Sequence, residues 1–239
     1  RWTPITYSVR YFDKAGNHKA TDTKTYGETF TLRGNPGWTA AGYTAQGWAR
    51  SANQTSRTHT FGQSVSNLAT TQNANVDFYV AETPNPYNVR YFDKAGNHIA
   101  TDQKTYGTTF TLRGDPGRTA AGYTAQGWAR GANQTARAYT FGQSVSNLAT
   151  SGNFDLYVAE TANTYNVRYF TKDGTHIGTD AKTYDAWFNL RGNPNRTHPA
   201  YTAQGWARSA GQTSASHAFG FWTHNLATSG NFDLYLAET

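Results

Sequence analysis

The sequence predicts a mostly β protein, α+β in class, built from three tandem small units in an elongated array. Matching segments begin at Tyr7, Tyr87 and Tyr165, and a tryptophan follows each of these tyrosines after 41 residues. The octapeptide YTAQGWAR occurs unchanged in every unit, at 43–50, 123–130 and 201–208. Apolar and polar residues alternate with a period of two in these segments, which is typical of half-buried strands. We place the units at 1–83, 84–161 and 162–239.

The elements of one unit can be placed in order, here in the second unit. In YNVRYFD, Tyr87, Val89 and Tyr91 share one face of an alternating pattern, and this period of two predicts the first strand. A turn follows at KAGN, where Gly96 tolerates a left-handed backbone. A helical turn capped by Gln143 or Ser144 is expected in SVSNLAT. The predicted segments are strands at 87–93, 99–106, 108–114 and 123–130, the helical turn at 144–150 and a closing strand at 153–161.

The connections between units are short. They read AETPNPY at 81–87 and AETANTY at 159–165, and the two prolines of the first favour an extended, stiff backbone. Neighbouring units are therefore expected to stay close together.

A unit of this size buries a modest share of its surface, so its core should hold large side chains. In the second unit we expect the core at Phe110, Leu112, Tyr123, Phe141, Leu148 and Leu156. Simple alternation would place Trp128 on the polar face of its strand, but a bulge at Gly127 would turn it inward. We interpret this tryptophan as a packing residue, with sugar stacking as the alternative.

The motifs V.YFD..G, TYG, GYT..GW and LYVAE follow one another in every unit, with small changes. This order resembles the Listeria-Bacteroides repeat, the internalin-type B repeat of bacterial surface proteins. Departures are alanine after GYT, where an aromatic residue is usual, and AET in place of the final tryptophan motif. The resemblance implies a β-grasp-like, ubiquitin-like unit in an extracellular, cell-wall-linked or secreted protein of a Gram-positive bacterium. It implies no catalysis. From the bulge and packing argument above, we interpret the recurring Gly-Trp signature as structural, at Gly47, Trp48, Gly127, Trp128, Gly205 and Trp206.

The composition and motifs of the chain exclude several kinds of chemical site. The chain has no Cys and no Met, which excludes disulfides and thiolate metal sites. No phosphate loop, nucleophile elbow or zinc-protease motif occurs, and the seven histidines share no recurring metal-ligand spacing. We therefore expect no enzyme activity, cofactor or metal. An intramolecular isopeptide bond at Lys104 or its equivalents stays open. No apolar stretch is long enough to cross a membrane, and we expect the chain to be part of a longer polypeptide.

Residues that differ between the units are candidates for a specific task. Trp2, Trp38, Trp187 and Trp222 have no tryptophan counterpart in the other units. In the third unit Trp187 stands for threonine, Trp222 for serine and Phe221 for glutamine, so all three should be exposed. Exposed rings beside polar groups suit sugar stacking. The candidate ligand-binding residues are Trp187, Phe221 and Trp222 with Arg191 and Arg208; a packing surface is the alternative.

Arginine supplies 14 of the 21 basic residues, and the net charge is +6. Arg10, Arg90 and Arg168 are expected to pair across strands with Asp77, Asp155 and Asp233. The remaining recurrent arginines could form a basic face for sialylated or sulfated glycans or wall polymers, at Arg33, Arg50, Arg113, Arg130, Arg191 and Arg208. Nucleic acid is disfavoured, since the charge is diffuse and no RNA-binding signature is present.

Three functions remain open. The chain could be a stalk or adhesion module that holds a distal domain away from the cell wall. It could be a carbohydrate-binding array in which weak sites gain from multivalency. It could also be an accessory module of a secreted polysaccharide enzyme. The partners expected are a glycan, a cell-wall polymer or a host surface protein.

Overall fold

A computed structural model describes residues 3–239, so Trp2 lies outside the described part of the chain. Within these residues the protein is built from strands and loops, with no helix. The predicted mostly β class is confirmed, and each unit seen in the sequence forms one repeated arrangement of sheets.

The strands follow the same order in every repeat. In the first repeat they are β1 (Thr6–Phe12), β2 (His18–Thr25), β3 (Thr29–Thr31), β4 (Tyr43–Ala49), β5 (Ser64–Ser66) and β6 (Asn75–Pro84). In the second repeat they are β7 (Pro86–Phe92), β8 (His98–Thr105), β9 (Thr109–Thr111), β10 (Tyr123–Ala129), β11 (Ser144–Ser146) and β12 (Gly152–Ala162). In the third repeat they are β13 (Thr164–Phe170), β14 (His176–Thr183), β15 (Phe188–Asn189), β16 (Ala203–Ala207), β17 (Trp222–Thr223) and β18 (Gly230–Glu238).

Among residues 3–239, each repeat has one four-stranded sheet and one two-stranded sheet. The larger sheet of the first repeat has the order β2-β1-β6-β4, in which β1 and β6 are parallel and the outer pairs are antiparallel. The third repeat has the corresponding order β14-β13-β18-β16. The second repeat has the same order read from the opposite edge, β10-β12-β7-β8. The first and last strands of a repeat thus pair at the centre of its sheet.

Contacts divide the chain into two compact units. One runs to Arg90 and includes 100–111 and 144–154, and the other comprises 91–99, 112–143 and 155–239. The first repeat lies wholly in one unit and the third wholly in the other. The boundaries read from the sequence, 1–83, 84–161 and 162–239, stay a prediction.

The segment expected to form a helical turn is a strand instead. Ser144–Ser146 form β11, which pairs antiparallel with β9. Partly buried Val145 sits between two exposed serines, which is the period of a strand. Asn147 follows with φ of 54°, a left-handed conformation that a helix does not continue through.

The core is formed by aromatic and branched residues of the two central strands. In the first repeat Tyr7, Val9 and Tyr11 point inward from β1, and Phe78 and Val80 meet them from β6. The core predicted for the second repeat is correct only in part. Leu112 and Leu156 are buried, whereas the other four are partly buried, namely Phe110, Tyr123, Phe141 and Leu148.

The tryptophan of the octapeptide completes the core, because the strand carries a bulge. The register shifts between Ala45 and Gly47, where Gly47 has φ of 147°, and Trp48 then points inward with 0% exposure. Its Nε1 donates to the carbonyl of Arg33 at 2.8 Å. Trp128 and Trp206 are buried behind the same bulge.

Consecutive repeats meet through a tyrosine that lies over a glycine. The ring of Tyr106 covers Gly42 so closely that a Cβ on Gly42 would stand 2.5 Å from it, and Tyr184 covers Gly122 in the same way. In the third repeat the corresponding residue is Ala200, which has φ of 69°. Only glycine leaves room for the covering ring at this point.

A single asparagine holds each connection between consecutive repeats in place through hydrogen bonds. Asn85, the one residue between β6 and β7, donates its backbone N–H to Gly42 and accepts from the N–H of Tyr106, at 2.8 and 2.9 Å. Its side chain donates to the carbonyl of Thr150 at 3.1 Å. Asn163 makes the corresponding bonds, so both connections are held by fixed hydrogen bonds.

Candidate functional site

Two of the three aromatic residues that set the third repeat apart, Trp187 and Trp222, lie together on its small sheet. β15 and β17 pair with Asn189 opposite Trp222 and Phe188 opposite Thr223. Phe188 and Thr223 are buried, so alternation directs Trp187 and Trp222 outward, where they are 54% and 56% exposed. Phe221 is 46% exposed. Its ring lies against that of His217 instead, with centroids 5.6 Å apart. We call Trp187, Trp222 and His224 the aromatic face.

The rings of the aromatic face form a continuous surface. Trp187 and Trp222 are nearly parallel, at 15°, with their centroids 5.9 Å apart. The imidazole of His224 lies 3.9 Å from the Trp187 ring on a 30° tilt. Exposed, mutually supported rings of this kind offer a flat apolar surface with its orientation already fixed.

The two arginines predicted to join this site have other partners. Arg191 forms an ion pair with Asp180, Nη2 to Oδ1 at 2.6 Å, and its guanidinium lies 5.1 Å from the centroid of Tyr169. Arg208 donates from Nη1 to the carbonyl of Asp233 at 2.7 Å and stacks on Phe232. Both guanidinium groups are therefore engaged within the sheet of their own repeat.

The cross-strand pairs predicted for the first and third repeats are present. Arg10 meets Asp77 on the parallel pair β1 and β6 through two bonds of 2.7 Å, and Arg168 meets Asp233 in the same way. These pairs are partly exposed, so solvent screens them and each contributes little to stability.

The structure also reveals a recurrent cavity that the sequence interpretation missed. It lies beside the glutamate of the AET segment, at Glu82, Glu160 and Glu238, which are nearly completely buried. The cavities measure about 230, 180 and 320 Å³ in chain order. A charged residue recurring directly after an apolar strand was the available signal.

The pKa of Asp185, which lies at the contact between the second and third repeats, tests the geometry of that contact. The hydroxyl of Tyr123 donates to the carboxylate of Asp185, which also accepts from the side chain of Asn225. These bonds, that from Tyr123 first, hold the pKa of Asp185 below its ordinary value. The carboxylate therefore stabilises this contact above the ordinary Asp pKa of about 4, and the contribution is lost as pH falls through the lowered pKa.

We expect Tyr123→Phe to raise the pKa of Asp185, as followed by its carboxyl carbon in an NMR titration. Tyr43→Phe is the matched control, because Gly107 stands in the place of Asp185 at the preceding contact. A Tyr123→Phe variant with an unchanged Asp185 titration would contradict the hydrogen bond.

The described residues, 3–239, contain no group of three or more His, Asp or Glu side chains that could hold a metal ion. They also contain no helix long and apolar enough to cross a membrane.

Comparison with known proteins gives one family. A model described as the Listeria-Bacteroides repeat domain matches residues 7–79 and 87–158, together more than half of the chain. No curated protein matches at a significant level. Among solved structures, the type 2 repeat of the mucus binding protein MUB from Lactobacillus reuteri is 15% identical, with coverage of 66% of this chain and 99% of that chain and a TM-score of 0.17. Identity and TM-score at this level support no argument about this chain.

Proposed function

Because the chain belongs to the Listeria-Bacteroides repeat family, we propose that it is a non-catalytic module of an extracellular protein, cell-wall-associated or secreted, and that its third repeat binds a glycan. The observation that supports glycan binding is the stacked, exposed pair of rings of Trp187 and Trp222. Both positions hold small hydroxyl residues in the other repeats, so the fold does not require the rings.

The chemistry of the aromatic face suits a sugar chain. Pyranose rings present C–H faces that stack on exposed indoles, and polar groups at the ring edges take up the hydroxyls. Two nearly parallel rings with centroids 5.9 Å apart can hold neighbouring parts of one chain. Such a site binds a flat ligand without first ordering a loop, which lowers the entropic cost of association.

Restoring the residues of the first repeat tests this function without disturbing the fold. Trp187→Thr with Trp222→Ser copies Thr29 and Ser64, which occupy the same strand positions there. The measurement is binding to an array of mucin O-glycans and bacterial wall polysaccharides. For the glycans that the wild type binds, we expect the double variant to lose at least about tenfold in affinity, since 1.4 kcal/mol corresponds to a factor of ten.

The control for that experiment is Tyr26→Ser, which removes a different exposed ring, 43% exposed, from the first repeat. Its glycan binding should equal that of the wild type. Equal binding by wild type and the double variant, or no binding by either, would remove glycan recognition by the aromatic face and leave the spacer role.

The spacer role is favoured by a separate observation. Each connection is pinned by one asparagine and by a tyrosine ring that covers a glycine, so the successive repeats are held by specific contacts. A stalk needs such contacts, because a flexible connection would not set a distance. The same chain could therefore present its aromatic face and hold it away from a surface.

We propose further that each repeat is a β-grasp-like unit. A mixed sheet with its first and last strands parallel at the centre supports this. The two-stranded sheet and its loops cover the face of the sheet that a helix covers in that fold, so the core is closed by Leu32 and partly buried Phe30 and Val65.

A further inference from the structure

The cavity in the first repeat, which we call the first-repeat pocket, is built differently from its two counterparts. It measures about 230 Å³, and its lining includes Lys14, Trp38, Tyr43 and Glu82. Pockets that hold drug-sized ligands are about 300–1,000 Å³. The first-repeat pocket is therefore suited to a ligand of one ring.

A buried carboxylate in this pocket has an unused oxygen. Glu82 is 1% exposed, and its Oε1 accepts the backbone N–H of Ala40 at 3.4 Å. Among the described residues 3–239, no group donates a hydrogen bond to its Oε2, although that atom is buried. Leaving such an acceptor unpaired costs about 1–3 kcal/mol or more. A donor supplied by a ligand would remove this cost.

In the third repeat a side chain of the protein pairs with the corresponding carboxylate oxygen. His198 lies with Nδ1 3.0 Å from Oε2 of Glu238, so the corresponding cavity carries its own partner. In the second repeat Oε2 of Glu160 is, like that of Glu82, buried without a hydrogen-bond donor among residues 3–239, and Lys94 forms an ion pair with it at 3.9 Å. In the first repeat the corresponding Lys14 donates instead to the backbone carbonyl of Glu82, at 3.5 Å.

An aromatic wall is the second distinction of the first-repeat pocket. Trp38 packs edge-on against the buried Trp48, with centroids 6.3 Å apart and planes at 66°, and lines the cavity. The second repeat has Arg118 at this position and the third has Arg196. Tyr43 adds a second ring, over which the ammonium of Lys14 lies at 4.1 Å.

The charges of the pocket select the class of ligand. A cationic amine is disfavoured by Lys14, whose Nζ lies 3.5 Å from the backbone carbonyl of Glu82. An anion is disfavoured by the carboxylates of Glu82 and Asp13. A neutral ring rich in hydroxyls suits both, because it donates hydrogen bonds to a carboxylate and presents C–H groups to an indole.

We propose that the first-repeat pocket binds one neutral monosaccharide residue, with a sugar hydroxyl donating to Oε2 of Glu82 and the C–H face of the ring stacked on Trp38. This site is distinct from the aromatic face and rests on the proposed function only in that both ligands are sugars. The pocket would hold a chain end or a side branch, whereas the aromatic face would hold a stretch of chain.

Two substitutions test the pocket with little risk to the fold. Trp38→Arg installs the residue that the other two repeats carry at this position, and Glu82→Gln keeps the size of the side chain while removing its charge. The probes are D-glucose, D-galactose, D-mannose and N-acetyl-D-glucosamine, each titrated by saturation-transfer NMR. We expect at least one sugar to bind the wild type and each substitution to weaken that binding tenfold or more.

The double variant Trp187→Thr with Trp222→Ser is the matched control, and it should bind the free monosaccharide as the wild type does. No binding of any of the four sugars to the wild type, or equal binding by wild type and Trp38→Arg, would overturn the proposal. Those results would leave polymer binding by the aromatic face untouched. Conversely, monosaccharide binding that depends on Trp38 and Glu82, together with no polymer binding, would support the pocket and remove the proposed role of the aromatic face.

Discussion

Gly205→Ala is expected to unfold the third repeat or to destabilise it by about 2–6 kcal/mol. Gly205 sits at the bulge with φ of 140°, a conformation that is essentially restricted to glycine and costs other residues about 1–3 kcal/mol. An added Cβ would also overlap the carbonyl oxygen of His217 and lie 2.7 Å from Cβ of Ala215. Forcing a methyl group into such a site adds about 1–3 kcal/mol.

Two other glycines of the same repeat provide the controls. Gly220 has φ of 69° but open space around it, so Gly220→Ala should cost only about 1–2 kcal/mol of backbone strain. Gly192 has neither a left-handed φ nor a close neighbour, so Gly192→Ala should leave stability unchanged. Denaturant unfolding followed by far-UV circular dichroism would rank the three. A Gly205→Ala variant as stable as Gly220→Ala would disprove the close approach at the bulge.

Trp206→Ala is expected to cost the third repeat about 3–5 kcal/mol, the range for deleting a buried aromatic side chain. Trp206 is 0% exposed and lies 4.8 Å from the ring of Tyr169, between centroids. Its removal also leaves the carbonyl of Arg191 without the donor that now bonds to it at 2.7 Å. Thermal and denaturant unfolding would both register the loss.

Trp222→Ala is the comparison for that variant, since this ring is 56% exposed in the same repeat. Its free energy of unfolding should change by about 0.5 kcal/mol or less, as for other surface substitutions. Similar losses for the two tryptophans would mean that the aromatic face supports the fold, and its assignment to ligand binding would then fail.

The positions of the strands were predictable because their alternation is regular. The predicted first strand at 87–93 matches β7 (Pro86–Phe92), and the predicted bulge at Gly127 is present. The helical turn expected at 144–150 was wrong, because a three-residue strand is too short for its period to be read from the sequence. Its pairing partner, β9, decides the conformation and is distant along the chain.

The candidate site was predictable only where copies differ. Comparing the repeats indicated that Trp187 and Trp222 should be exposed, but their near-parallel stacking depends on the pairing of β15 with β17. The pocket at Glu82 was not predicted for the opposite reason, because every repeat has a glutamate at this position. What differs is the partner of the glutamate: His198 pairs with Glu238, whereas no donor among residues 3–239 lies within hydrogen-bonding distance of Oε2 of Glu82 or Glu160.

Ala200 restricts how an array of these units can grow by duplication of its gene segment. A duplicated second repeat carries both halves of the contact, a glycine to be covered and a tyrosine to cover it, so a new copy can be inserted beside the first or second repeat. Ala200 carries a methyl group at the position where an added Cβ on Gly42 or Gly122 would lie 2.5 Å from the covering tyrosine ring. Recombination can therefore lengthen the array from within, while the same tyrosine contact cannot attach another copy to the third repeat.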